Sequence, residues 1–361
     1  MRAPDLPDVF TRAQARAAGV GDVRLAGLVR RGELIRLRPG VYAVASAPDP
    51  LARAARHVLE TRAVLSQRTT GFVASHLSAG AVHALPPPLG AVERVHLTTM
   101  GATQRSRTPP AALVHHGDST PTDLTVVDEI EVTTVARTVA DCLRCWGPRV
   151  SVPIADAALH RRQVTPEEIG DQLRRMLRWG GGPRARESLR LVDGRRESWL
   201  ESYAFVRLHE WQIPLPEPQI LVLDSGGWFV ARVDGGWVAD GAVVEFDGAN
   251  KYELPLADGQ VDPDRAWERE KTRYDAIGNL GLQRVRFGLD DLLHRQHRVE
   301  ASVRRAREAG SLSRFSGCFR STDPTGLTCS SIAEALTPRN QQQRESGRGE
   351  SDVSGGWCRP G

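Results

Sequence analysis

Residues 10–44 are punctuated so densely that they leave one order of elements. Thr11 is an N-cap residue, Gln14 stands three positions on to complete a capping box, and Phe10 supplies the apolar residue ahead of the cap. Gly19 is the stop, which predicts a first helix over 11–19. Asp22 is placed to cap a second helix over 23–31, with Leu25, Leu28 and Val29 at helical spacing and Arg24, Arg30 and Arg31 on the other face. Gly32 ends that helix. Two β-rich runs, 34–37 and 41–44, then flank Pro39-Gly40, residues suited to a hairpin turn.

Helix, turn, helix and basic hairpin is the layout of a winged helix-turn-helix, whose second helix enters the major groove while the hairpin lies along the backbone. Arg24 and Arg30, with Arg31 beside them, become candidates for the groove, and Arg36 and Arg38 for phosphate. The plain alternative is a helical cap with solvated arginines, and winged helices also mediate protein contacts. The stretch TRAQARAAGVGDVRLAGLVRRGELIRLRPGVYAV resembles the N-terminal domain of AbiEi-type antitoxins, through Ala15, Gly19, Leu28, Gly32, Leu34, Arg36 and the closing Arg38-Pro39-Gly40-Val41-Tyr42. That resemblance implies a DNA-binding regulator of toxin–antitoxin or phage-defence type, with DNA and a cognate toxin protein as partners. The short lead before Thr11 implies that a flanking helix carried by some relatives is absent.

At 361 residues the chain exceeds one ordinary core, and 40% hydrophobic with 25% charged residues fits a soluble protein of two or three domains. The net charge of +4 permits a phosphate backbone without requiring one. No run approaches the roughly 18 consecutive apolar residues of a membrane helix. The opening MRAPDLPDVFTRAQ lacks the apolar centre of a signal peptide. A cytoplasmic protein without a membrane partner is expected. Five scattered cysteines argue against a disulfide framework.

The expected organisation is α/β and multidomain: a winged helix-turn-helix over 1–48, a mixed α/β middle region over 49–195, a restriction-endonuclease-like α/β domain over 196–308, and a tail over 309–361. The tail, rich in Ser, Gly, Arg and Gln, holds too little apolar surface to offset its ordering entropy and is expected to be disordered. WGGGPRAR at 179–186 ends a helix or makes a flexible joint.

In the middle region helices are expected over 51–65, 71–84 and 135–146, the last capped by Thr134, with two more across VPIADAALHRRQVTPEEIGDQLRRML. Strands are expected within 92–99, 111–116 and 128–134. VTTVARTVADCLR and ADAALHRRQVTPEEI also resemble the region behind the winged helix in AbiEi-like proteins, which implies dimerisation, as a homodimer, or contact with a partner. Cys142 and Cys145 form a C-x-x-C with no second pair, which reads as structural rather than zinc-binding. His76 and His83 lie seven apart on one expected helix face and read as packing or surface residues.

The C-terminal α/β segment holds the acidic residues. A helix opens at Glu197 and runs to about Trp211, three prolines force an extended connection, and strands follow at 219–224, 228–234 and 242–248. A helix, the strand LQRVRFG and the short helix LDDLLHR complete it. Helix, three-strand meander, helix, strand is the core of a restriction-endonuclease-like fold. Glu245 and Asp247 stand two apart on the third strand and so share a face, Asp234 ends the second strand, and Glu201 on the opening helix is within reach. Such carboxylates suit Mg²⁺ or Mn²⁺, which take oxygen ligands, with Lys251 or Lys271 adding positive charge. A solvated sheet edge is the alternative, although crowded carboxylates repel.

SWLES with IPLPEPQ, then RVD, VVEFDGANKY and EREKTRYDAIGNLGLQRVRF resemble the DUF559 group, related to the very-short-patch repair endonuclease within the PD-(D/E)XK nucleases. The resemblance places Asp234, Glu245 and Asp247 at metal positions, Glu201 as an auxiliary acid, and Lys251, Arg273 and Asp275 at other recurring positions. This chain departs from the signature Glu-x-Lys with Glu245-Phe246-Asp247, and Lys251 comes late to replace the lysine. Two further functions therefore stand beside the regulator: a metal-dependent DNA endonuclease, and an antitoxin that acts through protein contact with an inactive nuclease fold.

Overall fold

The computed structural model of the chain describes residues 9–45, 52–66, 71–90, 92–99, 112–117, 120–247, 275–311, 315–322 and 327–336. They form two compact units that exchange chain: residues up to Trp146 and again Glu167–Gly182 make the first, Gly147–Pro166 and everything from Pro183 the second. The chain crosses between the two units near 146, 166 and 182.

The first unit begins as expected, with α1 (Arg12–Ala17), α2 (Asp22–Arg30), β2 (Leu34–Arg38) and β3 (Val41–Val44). The capping box is formed: Thr11 Oγ1 accepts from the Gln14 N–H at 3.2 Å, and Gln14 Oε1 accepts from the Thr11 N–H at 2.7 Å. Asp22 is not the cap of α2. That position falls to Gly21, which offers no side chain. Hydrogen bonds from Arg12 and Arg16 occupy the Asp22 carboxylate and hold it well below the usual carboxylate range. An unexpected strand, β1 (Val9–Thr11), pairs antiparallel with β3 and makes a sheet of order β1-β3-β2. Phe10, Ala15, Val20, Leu25 and Leu34 fill the centre. The boundary expected after 48 does not separate cores, because Ala63 of α3 (Ala52–Leu65) packs with Val9, Val41 and Ala43.

A second sheet of the same unit has the order β6-β5-β4-β8-β7, built from β4 (Phe72–Ala74), β5 (Val95–Thr99), β6 (Ala112–His115), β7 (Leu124–Val127) and β8 (Ile130–Thr133). The helix expected over 71–84 is in fact β4 followed by α4 (His76–Val82). Phe72-Val73-Ala74 is wholly buried at the centre of the sheet, and a short continuous apolar run has no period to distinguish strand from helix. The break between the two is His76, whose φ of 52° lies in the left-handed region. α5 (Val135–Cys145) carries Thr134 as its cap, accepting from the Arg137 N–H at 3.4 Å, and α7 (Pro166–Arg175) belongs to this unit as well.

The second unit is a sheet of order β12-β11-β10-β9-β13 with helices around it. Its strands are β9 (Glu217–Leu223), β10 (Phe229–Trp237), β11 (Ala242–Asp247), β12 (Gln283–Gly288) and β13 (Cys318–Arg320). The helices are α6 (Pro148–His160), α8 (Gly182–Leu189, its first residue still in the first unit), α9 (Trp199–Glu210), α10 (Leu289–His294), α11 (Gln296–Ser311) and α12 (Ser330–Ala335). β9, β10 and β11 form an antiparallel meander, and β12 lies parallel to β11. Both sheet faces are covered: Phe205, Leu208, Val244, Phe246 and Val299 fill one layer, and Ile220, Val233, Val243, Ile277 and Phe319 the other. Inside this unit Arg196 meets the buried Asp156 at 2.7 Å, and burial still pushes that carboxyl up to about 6.

Part of the expected disordered tail is ordered. β13 pairs with β9, Phe319 is buried, and Ile332, Ala333 and Cys329 are buried around α12. A strand added to an existing edge gains backbone hydrogen bonds, so one or two apolar side chains are enough to hold it. Residues 337–361, with Cys358, lie outside the described residues.

Candidate functional site

On the N-terminal unit, α2 buries Leu25 and leaves Val23, Arg24, Ala26 and Arg30 exposed, Val23 to 85%. Val23, Ala26 and Arg30 recur three and four apart, so they line one side of the helix with Arg24 beside them. Arg31 pairs with Glu33 instead. Arg36 is exposed on β2; Arg38 closes that strand, and its side chain lies outside the described residues. All five predicted arginines thus fall on α2, just after it, or on the hairpin, four of them with described side chains.

Of the predicted acidic residues, Asp234 lies on β10, Glu245 and Asp247 on β11, and Glu201 on α9. The β10–β11 ladder runs from Trp237↔Ala242 to Gly235↔Val244, and two residues beyond Val244 the Phe246 N–H donates to Asp234 Oδ2 at 2.7 Å. Asp234 therefore completes the ladder with its side chain. Glu245 is buried and meets Arg284 at 3.1 Å; Asp247 pairs with Arg286. Glu201 accepts from the Glu197 N–H at 3.0 Å and from Gln219 Nε2 at 2.8 Å. No three of these four carboxylates bring oxygens within 4.8 Å of one another. Lys251, Lys271 and Arg273 lie outside the described residues, and Asp275 is exposed on a helical turn. Arg284 and Arg286 had a signal in the sequence: QRVRFG alternates with period two, as VEFD does, so parallel pairing sets two arginines beside two carboxylates.

A third constellation, in the first unit, was not anticipated. Arg137, Asp141 and Arg144 follow one face of α5 at spacings of four and three, and all are buried. Arg137 Nε donates to Asp141 at 2.9 Å and its Nη1 to Asp123 at 3.4 Å. Gln172 and Arg175 of α7 reach Asp123 from the other side, at 2.9 and 3.2 Å. The Trp179 ring lies 4.9 Å from the Arg137 guanidinium and 5.1 Å from that of Arg144, within cation–π range. Arg144 also donates to the Gly180 carbonyl. Gly181, at φ 88°, lies so close that a Cβ would come 2.3 Å from the Arg144 carbonyl oxygen. The triple glycine thus makes a close approach at Gly181, just before the chain crosses to the second unit after Gly182.

Arg137, Asp141, Arg144, Trp179 and Gly180 border a cavity of about 530 Å³ whose other walls include His76, Thr98, His115, His116 and Cys145. Burial pushes His96 down to about 3 and His115 to about 4, and His76 well below its ordinary value, each helped by neighbouring histidines. The imidazoles are therefore neutral near neutral pH. Charged residues at helical spacing in the otherwise apolar VARTVADCLRC were the sequence signal for this site.

No helix among the described residues is long and apolar enough to cross a membrane. Two uncharacterized proteins from two strains of Mycobacterium tuberculosis are each 30% identical to this chain over 161 residues, which is 43% of the chain. The chain spans about half the length, 55%, of these curated relatives. Residues 2–45 match a family described as transcriptional regulator, AbiEi antitoxin, so the resemblance to AbiEi-type proteins holds for the N-terminal region of the chain.

Proposed function

We propose that this protein is a DNA-binding regulator of the toxin–antitoxin type, whose residues 9–45 work as a winged helix-turn-helix. The observation that carries the reading is the exposed side of α2, where Val23, Arg24, Ala26 and Arg30 face away from the core beside the basic hairpin. An apolar Val23 suits a thymine methyl, and an arginine suits the paired acceptors of guanine. Arg36 on the hairpin suits phosphate.

Fluorescence anisotropy of the full chain on mixed-sequence duplexes, and on sites selected from them, tests this. Arg24→Ala and Arg30→Ala are expected to cost about 1–3 kcal/mol each on the selected site. Arg36→Ala is expected to weaken all sequences alike and to lower the slope of log affinity against log salt by about one. Unchanged binding in the triple variant would remove DNA recognition from this unit and favour an antitoxin acting by protein contact.

The endonuclease alternative draws on one observation, the order α9, β9–β11 meander, helical residues 275–279, β12, which is that of a restriction-endonuclease-like core. Against it, arginines hold Glu245 and Asp247, and no three of the four carboxylates bring oxygens within 4.8 Å of one another. We therefore favour a domain that binds without cutting. Supercoiled DNA incubated with the protein in Mg²⁺ or Mn²⁺ is expected to stay intact. Metal-dependent nicking that Glu245→Gln and Asp247→Asn both abolish would establish the endonuclease instead.

A further inference from the structure

The cavity of the first unit carries a donor set that neither reading above uses. Ring nitrogens of His76 and His115 and the thiol sulfur of Cys145 lie within 4.8 Å of one another, the one such triad of histidine, cysteine, aspartate or glutamate ligand atoms among the described residues. They come from three elements of one unit: the start of α4, the end of β6 and the end of α5. We infer that His76, His115 and Cys145 form a three-ligand site for a zinc-class transition-metal ion, open on its fourth side to the cavity. The inference stands independently of the DNA-binding proposal.

The chemistry of the donors selects the ion. Two imidazoles and a thiolate are the mixed nitrogen–sulfur set that zinc takes and that Mg²⁺ and Ca²⁺ do not. The hydrogen bonds of the two imidazoles leave one nitrogen over on each ring. His76 Nδ1 is bonded to Ser75 Oγ at 2.9 Å, which leaves Nε2. His115 Nε2 is bonded to His96 Nδ1 at 2.9 Å, which leaves Nδ1. His96 thus acts as the outer partner that orients a ligating histidine.

Two further features fit. The backbone of His76 is held at φ 52°, a conformation that proteins keep where the position of a side chain matters. The two cysteines of the C-x-x-C also separate in role. Cys142 is fully buried in the core, whereas Cys145 borders the cavity together with Arg144. The His76 and His115 rings now stack at 3.6 Å with 19° between their planes. A lone pair lies in its ring plane, so both rings must tilt to share one ion. His115 is half-buried against the cavity, which gives it space to do so.

The test is a Co²⁺ titration of the full chain, followed by displacement with Zn²⁺. One equivalent of Co²⁺ should bind with a thiolate-to-cobalt charge-transfer band, and Zn²⁺ should bleach it. Cys145→Ser should abolish the band, and His115→Gln should weaken Co²⁺ binding by at least about tenfold. Cys318→Ser, a half-buried thiol on β13, should change neither. Absence of the band in the native chain, its persistence in Cys145→Ser, or Co²⁺ affinity unmoved by His115→Gln would each overturn the site.

Discussion

Arg137→Met is expected to destabilise the first unit by about 3–5 kcal/mol, the usual cost of stranding one partner of a buried ion pair. Arg137 is buried between Asp141 and Asp123, and burial already pushes the Asp141 carboxyl up. Removing the guanidinium leaves Asp141 with Arg144 alone, at 3.8 Å. Met keeps the length of the stem, so the loss is mainly of charge and hydrogen bonds rather than volume. With two units present, one unfolding midpoint would mix them, so amide hydrogen exchange of α4, α5 and β5 is the suitable measure. Protection there should collapse in Arg137→Met and largely return in Arg137→Met with Asp141→Leu. Unchanged protection in the single variant would mean that the network contributes nothing net to stability.

The histidines make the same unit sensitive to acid. His76, His96 and His115 titrate below their unfolded value of about 6.5, so the stability they carry is complete above that pH and is lost as pH falls toward their folded values, about 3 and 4 for His96 and His115. At about pH 5 each well-buried imidazole costs roughly 2 kcal/mol, because the unfolded chain takes up a proton that the folded chain refuses. His115 costs less, being partly exposed. Asp141 works the other way. Its raised folded value gives stability that is present below the unfolded carboxylate range and lost as pH rises. Three imidazoles outweigh one carboxyl, so exchange protection of β4, β5 and α4 should fall between about pH 7.5 and about pH 5 after correction for intrinsic exchange. His96→Gln should flatten that fall. A flat profile in the native chain would show that the histidines titrate normally.

Legibility followed the type of signal. Caps, stops and the hairpin turn are local chemistry, so α1, α2, β2 and β3 could be read from Thr11, Gly19, Gly32 and Pro39-Gly40. β1 could not: its three residues have no period, and β3 creates the strand by pairing with it. The same holds for β4 and β13, which exist because a sheet was there to receive them. In the acidic region, Glu245 and Asp247 share β11 as period two requires, but their partners were set by the parallel register with β12, which a sequence does not print. The cavity was the least legible, because His76, His115 and Cys145 are far apart in the chain and only the fold makes them neighbours.

The chain crossings of the fold bear on how this protein is made and inherited. A ribosome delivering it from the N-terminus cannot finish the first unit until Gly182 has emerged. By then α6 is already out and belongs to a body not yet synthesised, with Asp156 awaiting an arginine forty residues downstream. Neither unit is a continuous cassette. A gene break at any one of the three crossings separates at least one unit from a piece of itself.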